Sequence, residues 1–277
     1  MKGLDGAVYS HLSDDDGRNL HTNTLIRMST PRRITSYPKL VRTIARIQYY
    51  NPEYSLFFRG QSHDFNLDSG ASSMYPSIFR SPNNTPLRAR DLESRMEKLD
   101  RAEVLLLERF RQNNLEGHDK LTEFKELCWA ILQHYEVCDT PLLDITSSLQ
   151  AAASFALRHD PATGILYVLG FPYIHGSISY YVDKAIINIK LLSICPPEAQ
   201  RPYFQEGFLV GTFPTRITQK HPSLDVASRI IAKFRIGWGT PDTWDFWGKN
   251  YTPIPEGALF PEDDQVKRIC DQIKAIL

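Results

Sequence analysis

The run Leu56-Phe57-Phe58 passes without a break into Arg59, Gly60 and Gln61, and it limits the possible folds more than any other stretch of the chain. A strand with one face in water alternates apolar and polar residues, whereas three consecutive large apolar residues ask for cover on both faces. A guanidinium at the end of such a strand needs a partner, either an ion pair within the fold or a bound phosphate or carboxylate. Gly60 beside it removes a Cβ and leaves room for a ligand to approach the backbone.

The rest of the chain supplies layers to cover that strand. Ser36 is placed to cap a helix over residues 37–49, with Leu40, Ile44 and Ile47 at helical spacing and Asn51-Pro52 as its stop. Helical periodicity recurs over 90–114, where Leu99, Val104, Leu106, Leu107 and Phe110 define the expected buried face. It appears again over 121–135, through Leu121, Phe124, Cys128, Ile131 and Tyr135. Strands are expected at 142–146, in GILYVLG, around AIINIKLLSI and in YFQEGFLVGTF, and two closing helices at 223–235 and 262–276. Ser147 with Gln150 three positions on fits a capping box that opens an alanine-rich helix.

The segment between Gln61 and Leu87, rich in Ser, Asn, Pro and Gly and including SPNNTP, is a long connection of the kind that carries function. Residues 1–30 are polar, hold the run Asp14-Asp15-Asp16 and read as an irregular or partly docked segment. The pattern predicts a polar leader at 1–33 and one α+β domain at 34–277, a central, partly antiparallel sheet flanked by helices.

Lys plus Arg and Asp plus Glu each number 32, so no overall positive field recruits nucleic acid or an anionic membrane. Cys128, Cys138, Cys195 and Cys270 stand far apart, in neither a zinc nor a disulfide spacing, which points to reduced intracellular thiols. No apolar run approaches a membrane span and residues 1–24 lack signal-peptide order, so a cytoplasmic protein is expected.

Candidate chemistry concentrates in ILQHYEVCDTPLLDITSS and RPYFQEGF. His134 lies at the edge of a helical apolar face, as a hydrogen-bonded core residue or as a pocket residue. Asp139 and Asp144 follow, but no pair of ligands is fixed on one helix face, so a metal site is not expected. Ser147 is a helix cap, and the helix N-terminus it opens would suit a phosphate. In one strand register Glu206 shares a face with Phe204, Phe208 and Val210, a buried carboxylate in need of a partner. In the other, Gln205 and Leu209 face inward and Glu206 is solvated. Neither GxSxG nor GxxxxGK[ST] is present. Trp238, Trp244, Phe246 and Trp247 form either a partner surface or a core edge.

FFRGQ with YPSIFR, then QHY, TPLLDIT and AAASFA, then RPYFQEGF, then GALFPEDDQVKRI resemble the successive blocks of the FRG domain, over roughly residues 34–277. The family commonly has a glycine after His-Tyr and an arginine before Leu-Leu-Asp, where this chain has Glu136 and Pro141. Arg59, then Thr146-Ser147-Ser148, then Glu206 also resemble, in order, the site residues of ADP-ribosyltransferases of the Arg-Ser-Glu type. That resemblance implies a fold like theirs and a chain that cleaves NAD as a substrate, with no tightly bound cofactor, in a toxin or phage-defence setting. It makes Glu206 and Arg59 catalytic and Gly60, Gln61, Arg80, His134, Thr146, Ser147 and Gln205 ligand-binding. The implied partners are a small-molecule nucleotide and a macromolecular acceptor, protein or nucleic acid, with no membrane. The alternatives are a non-catalytic module that senses a nucleotide or a protein, and a nucleic-acid binder or nuclease suggested by the basic stretch RMSTPRRITSYPKLVR.

Overall fold

Residues 1–12, 19–81, 87–237 and 246–277 are described by the structure, a computed structural model. In chain order the elements begin with β1 (Val8–Tyr9), β2 (Leu20–His21), α1 (Asn23–Met28), β3 (Arg32–Ile34), α2 (Tyr37–Tyr50) and β4 (Ser55–Gln61). Then come α3 (Ala89–Gln112), α4 (His118–Glu123), α5 (Lys125–His134), β5 (Leu142–Thr146), α6 (Leu149–Ala156), β6 (Gly164–Phe171), β7 (Ile178–Tyr181) and β8 (Ile186–Lys190). The chain closes with α7 (Arg201–Gln205), β9 (Gly207–Thr212), β10 (Ile230–Ile236), α8 (Glu256–Leu259) and α9 (Gln265–Ile276).

One eight-stranded sheet runs in the order β3-β10-β6-β4-β5-β9-β8-β7. Its neighbours are antiparallel except for β3 against β10. The strand of the opening run, β4, lies between β5 and β6 near the middle, which explains its unbroken apolar residues. The sheet separates two cores. Leu40, Ile44 and Ile47 of α2 pack with Phe57, Ile145, Phe208 and Val210 on one side. Leu99 and Phe110 of α3, Trp129 and Ile131 of α5 and Ile269 of α9 pack with Leu142, Ile187, Ile189 and Leu209 on the other. The fold is mixed α+β, with helices on both faces of a mostly antiparallel sheet.

Several elements differ from the sequence expectation for local reasons. Val104 is exposed, and the buried face of α3 runs instead through Leu92, Met96, Leu99, Leu106 and Phe110. The helix expected over 121–135 is broken at Phe124, which is extended (φ −127°, ψ 94°) between α4 and α5 and exposed. Residues 230–236 form a strand, not a helix, with Phe234 opposite Leu166 and Arg235 opposite Ile165. Its residues Ile230 to Phe234 are buried without a break, and such a run carries no period by which to tell the two states apart.

The first residues dock onto this body. Met1, Val8, Tyr9 and Ile26 are buried in the α2-side core, and the Asn51 side chain bonds both the N–H and the C=O of Tyr9. The acidic run Asp14-Asp15-Asp16, most of SPNNTP, and Trp238 and Trp244 lie outside the described residues. Phe246 and Trp247 are buried against Tyr37, a core edge. All four cysteines are free. Among the described residues no helix is long and apolar enough to cross a membrane.

Candidate functional site

Three adjacent strands hold the site. Phe58 of β4 pairs with Thr146 of β5, which pairs in turn with Gly207 of β9. Beside this row, the end of α5, the outer face of α6, the start of α7 and Phe260 after α8 enclose a cavity of about 210 Å³. Arg59, Gly60, His134, Thr146 and Gln205 line it, as do Glu136, Asp144, Phe155, Arg158, Arg201 and Phe260.

Asp144 is the hub. Alternation along β5 turns Leu142 and Asp144 toward α5, while Leu143 and Ile145 enter the opposite core. His134 Nδ1 lies 2.9 Å from Asp144 Oδ1, and Gln133 Nε2 donates to Oδ2 at 2.9 Å. Thr140 Oγ1 donates to Gln133 Oε1 at 2.6 Å and fixes that amide in turn. Arg59 Nη1 donates to the Asp144 backbone carbonyl. Burial by itself would raise the Asp144 carboxyl, yet the bond and charge of His134, the Arg59 guanidinium and the Gln133 amide bring it down to about 2. Burial lowers His134 below its ordinary range, against the pull of Asp144. Burial also brings Arg59 down to about 10, with Asp144 opposing, and it stays charged at neutral pH.

The remaining wall is cationic and aromatic. Arg158 and Arg201 stack on the Phe260 ring, their guanidinium carbons 4.3 and 4.7 Å from its centroid. Glu256 pairs with Arg158, and Glu136 with Arg201 at 2.9 Å. Glu136 adopts φ +57°, a left-handed conformation in which glycine is the easy choice. Asp264 places Arg201: its Oδ2 accepts from the backbone N–H of Gln200 and Arg201 and from the Tyr135 hydroxyl, while Oδ1 caps α9 at Lys267. Arg59 Nε, His134 Nε2 and Arg201 Nε are buried and have no hydrogen-bond partner among the described residues. Buried polar atoms are rarely left so.

Other expected residues sit elsewhere or serve otherwise. Glu206 is not on a strand face. It ends α7 in a left-handed conformation (φ 44°), just before β9, and its side chain is exposed. Neither strand register is found: Gln205 is buried in α7, and β9 is buried on both faces, Phe208 and Val210 in one core and Leu209 in the other. Ser147 Oγ donates to Glu206 Oε2 at 3.1 Å; neither residue lines the cavity, although their neighbours Thr146, Gln205 and Gly207 do. The cap of α6 is Ser148, whose Oγ accepts from Ala151 N, one residue later than the capping box implies. Three amides at that turn are engaged within the chain, those of Ser147, Ser148 and Ala151, so the turn is less open to a phosphate than expected. The Gln205 side-chain amide donates to the Leu259 carbonyl, and the Gln205 backbone carbonyl accepts from Thr146 Oγ1. Gln61 and Arg80 do not line the cavity. Gly60 makes room for α6 rather than for a ligand, since a Cβ there would stand 1.9 Å from Ala152 O. The basic stretch is dispersed over α1, β3 and α2, with Arg27 paired to Asp225.

The sequence had pointed to neither Arg158 nor Arg201. Arg201 carried a signal in RPYFQEGF, an arginine one position ahead of a proline in a short helix, and Arg158 follows the alanine-rich α6. No curated protein and no solved structure matches the chain. A family model does match, the FRG domain, over residues 54–163, and the blocks RPYFQEGF and GALFPEDDQVKRI lie beyond it. The match spans β4 to α6 and so supplies Arg59, Gly60, His134, Asp144, Thr146, Phe155 and Arg158 to the cavity, and the chain carries an FRG domain.

Proposed function

We propose that this FRG-domain protein cleaves the bond between nicotinamide and ribose in NAD and passes the ADP-ribose to water or to a macromolecular acceptor, in a toxin or phage-defence setting. One observation carries the reading: Ser147 and Glu206 flank the Thr146–Gly207 pair, hydrogen-bonded to each other at 3.1 Å, with Arg59 on the adjoining strand. Residues far apart in sequence are thereby brought to three neighbouring strands.

The chemistry follows from charge. As the glycosidic bond breaks, its electron pair leaves with the ring nitrogen, nicotinamide departs neutral, and positive charge builds on the ribose as in other glycosyl transfers. A carboxylate fixed by Ser147 stabilises that cation. Arg59 and Arg201, each with a buried N–H in want of an acceptor, bind the pyrophosphate. A cavity of about 210 Å³ is smaller than the roughly 300–1,000 Å³ that encloses a drug-sized ligand. It therefore takes one part of the dinucleotide, while the rest extends outside it toward Glu206.

The test is nicotinamide release from NAD, followed by chromatography. The wild-type chain releases it, and Glu206→Gln, folded as judged by its melting temperature, is slower by roughly 100-fold or more. An equal rate in Glu206→Gln, or no release by the wild-type chain, rejects the reading. A binding module without turnover is the second reading, favoured by the exposure of Glu206 against the buried Arg201. NAD binding with no release selects it.

A further inference from the structure

We propose that His134 and Asp144 form the proton-accepting pair of this cavity. The hydrogen bond between them leaves little choice of tautomer. An ionised carboxylate only accepts, so the 2.9 Å contact places the proton on Nδ1. The carboxylate cannot turn away, because Gln133 holds its other oxygen and Thr140 holds Gln133. The imidazole is 2% exposed, and an unshared charge is costly there. A neutral ring with its proton on Nδ1 carries its lone pair on Nε2, the atom that is buried, without a partner and on a residue lining the cavity.

That lone pair differs from the carboxylates of the lining, since Asp144 is held by His134 and Gln133 and Glu136 by Arg201. Arg59, Arg158 and Arg201 can only donate. The groups that face the ring are Asp144 from β5, Arg201 from α7, Asp264 ahead of α9, and the Tyr135 ring at 5.6 Å. Gly207 leaves room for the ring, since a Cβ there would stand 3.3 Å from His134 Cε1. An acceptor among cations selects a ligand in which an O–H lies close to an anion. Resting on the NAD reading, the O–H is that of the attacking water or acceptor hydroxyl. Its oxygen bonds to the ribose carbon as nicotinamide leaves with the electron pair, its proton passes to Nε2, and Asp144 holds the resulting imidazolium until the proton is lost to solvent.

Two measurements on the full chain decide the matter. Nitrogen-15 resonances of histidine, with His134 assigned by comparison with His134→Gln, report the tautomer without any substrate. At pH 7 the ring should be neutral and protonated on Nδ1, and the Nε2 resonance should move when ADP-ribose is added. A ring protonated on Nε2, or an imidazolium, overturns the proposal even where nicotinamide release is normal. In kinetics on NAD, His134→Gln should lose roughly 100-fold in kcat with little change in KM. The acid limb of the pH profile should move to lower pH in Asp144→Asn, because the carboxylate raises the histidine. A purely structural role would lower the melting temperature of both variants and leave that limb in place, which also overturns it. If the wild-type chain releases no nicotinamide, the NAD reading fails, and the tautomer decides for or against the pair.

Discussion

Gly60 shows how much a single position fixes. A Cβ there would lie 1.9 Å from the Ala152 carbonyl oxygen and 2.7 Å from Ala156 N, both backbone atoms of α6 that cannot yield as a side chain would. The Phe-Arg-Gly signature is thus three separate devices: Phe58 is buried, Arg59 binds the Asp144 carbonyl and α6 lies directly on Gly60. Gly60→Ala should destabilise the chain by roughly 2–3 kcal/mol, a typical overpacking penalty, as read from urea unfolding. Unchanged stability would return the glycine to a role in ligand approach. That role is what the sequence suggests, since the helix that meets Gly60 arrives some ninety residues later. Asp144 was visible as one of several polar residues, but its place at the centre depends on the side chains of Gln133 and His134 turning toward β5, which no spacing announces.

Among the elements, α2, α3, β4, β5, β6 and α9 were legible from period and punctuation, and their bounds shift by only a few residues. The failures have physical causes. Over 230–234 burial is continuous, which erases the period that separates strand from helix. At Phe124 the apolar spacing continues across a break made by the backbone. In RPYFQEGF the chain turns through a left-handed residue, so the alternation of β9 begins at Gly207 and Glu206 lies outside it. The cap of α6 offers a test, because two adjacent serines have different partners. Ser148→Ala should cost about 1 kcal/mol, the usual loss of an N-cap. Ser147→Ala, whose hydroxyl is at the surface with Glu206, should cost well under that. Equal losses on denaturant unfolding would contradict the assignment of the cap.

At the scale of the molecule, the cavity is built by segments that meet only through the sheet: residues 58–60, 134–146 and 155–158 from the FRG match, and 201–207 with Phe260 from beyond it. Asp264 joins the two parts by capping α9 while binding the backbone at Arg201 and the Tyr135 hydroxyl. The order of Arg59, Ser147 and Glu206 was readable in the sequence. The cationic and aromatic wall was not, since Arg158, Arg201 and Phe260 come together only in the folded chain.

The most direct measurement is a crystal structure of the Glu206→Gln variant grown with NAD. The account predicts pyrophosphate density against Arg59 and Arg201, with the nicotinamide ribose beside Ser147 and the substituted side chain at position 206, and a water, placed to attack its anomeric carbon, at His134 Nε2. NAD seated elsewhere on the molecule, or an empty cavity at saturating NAD, would contradict it.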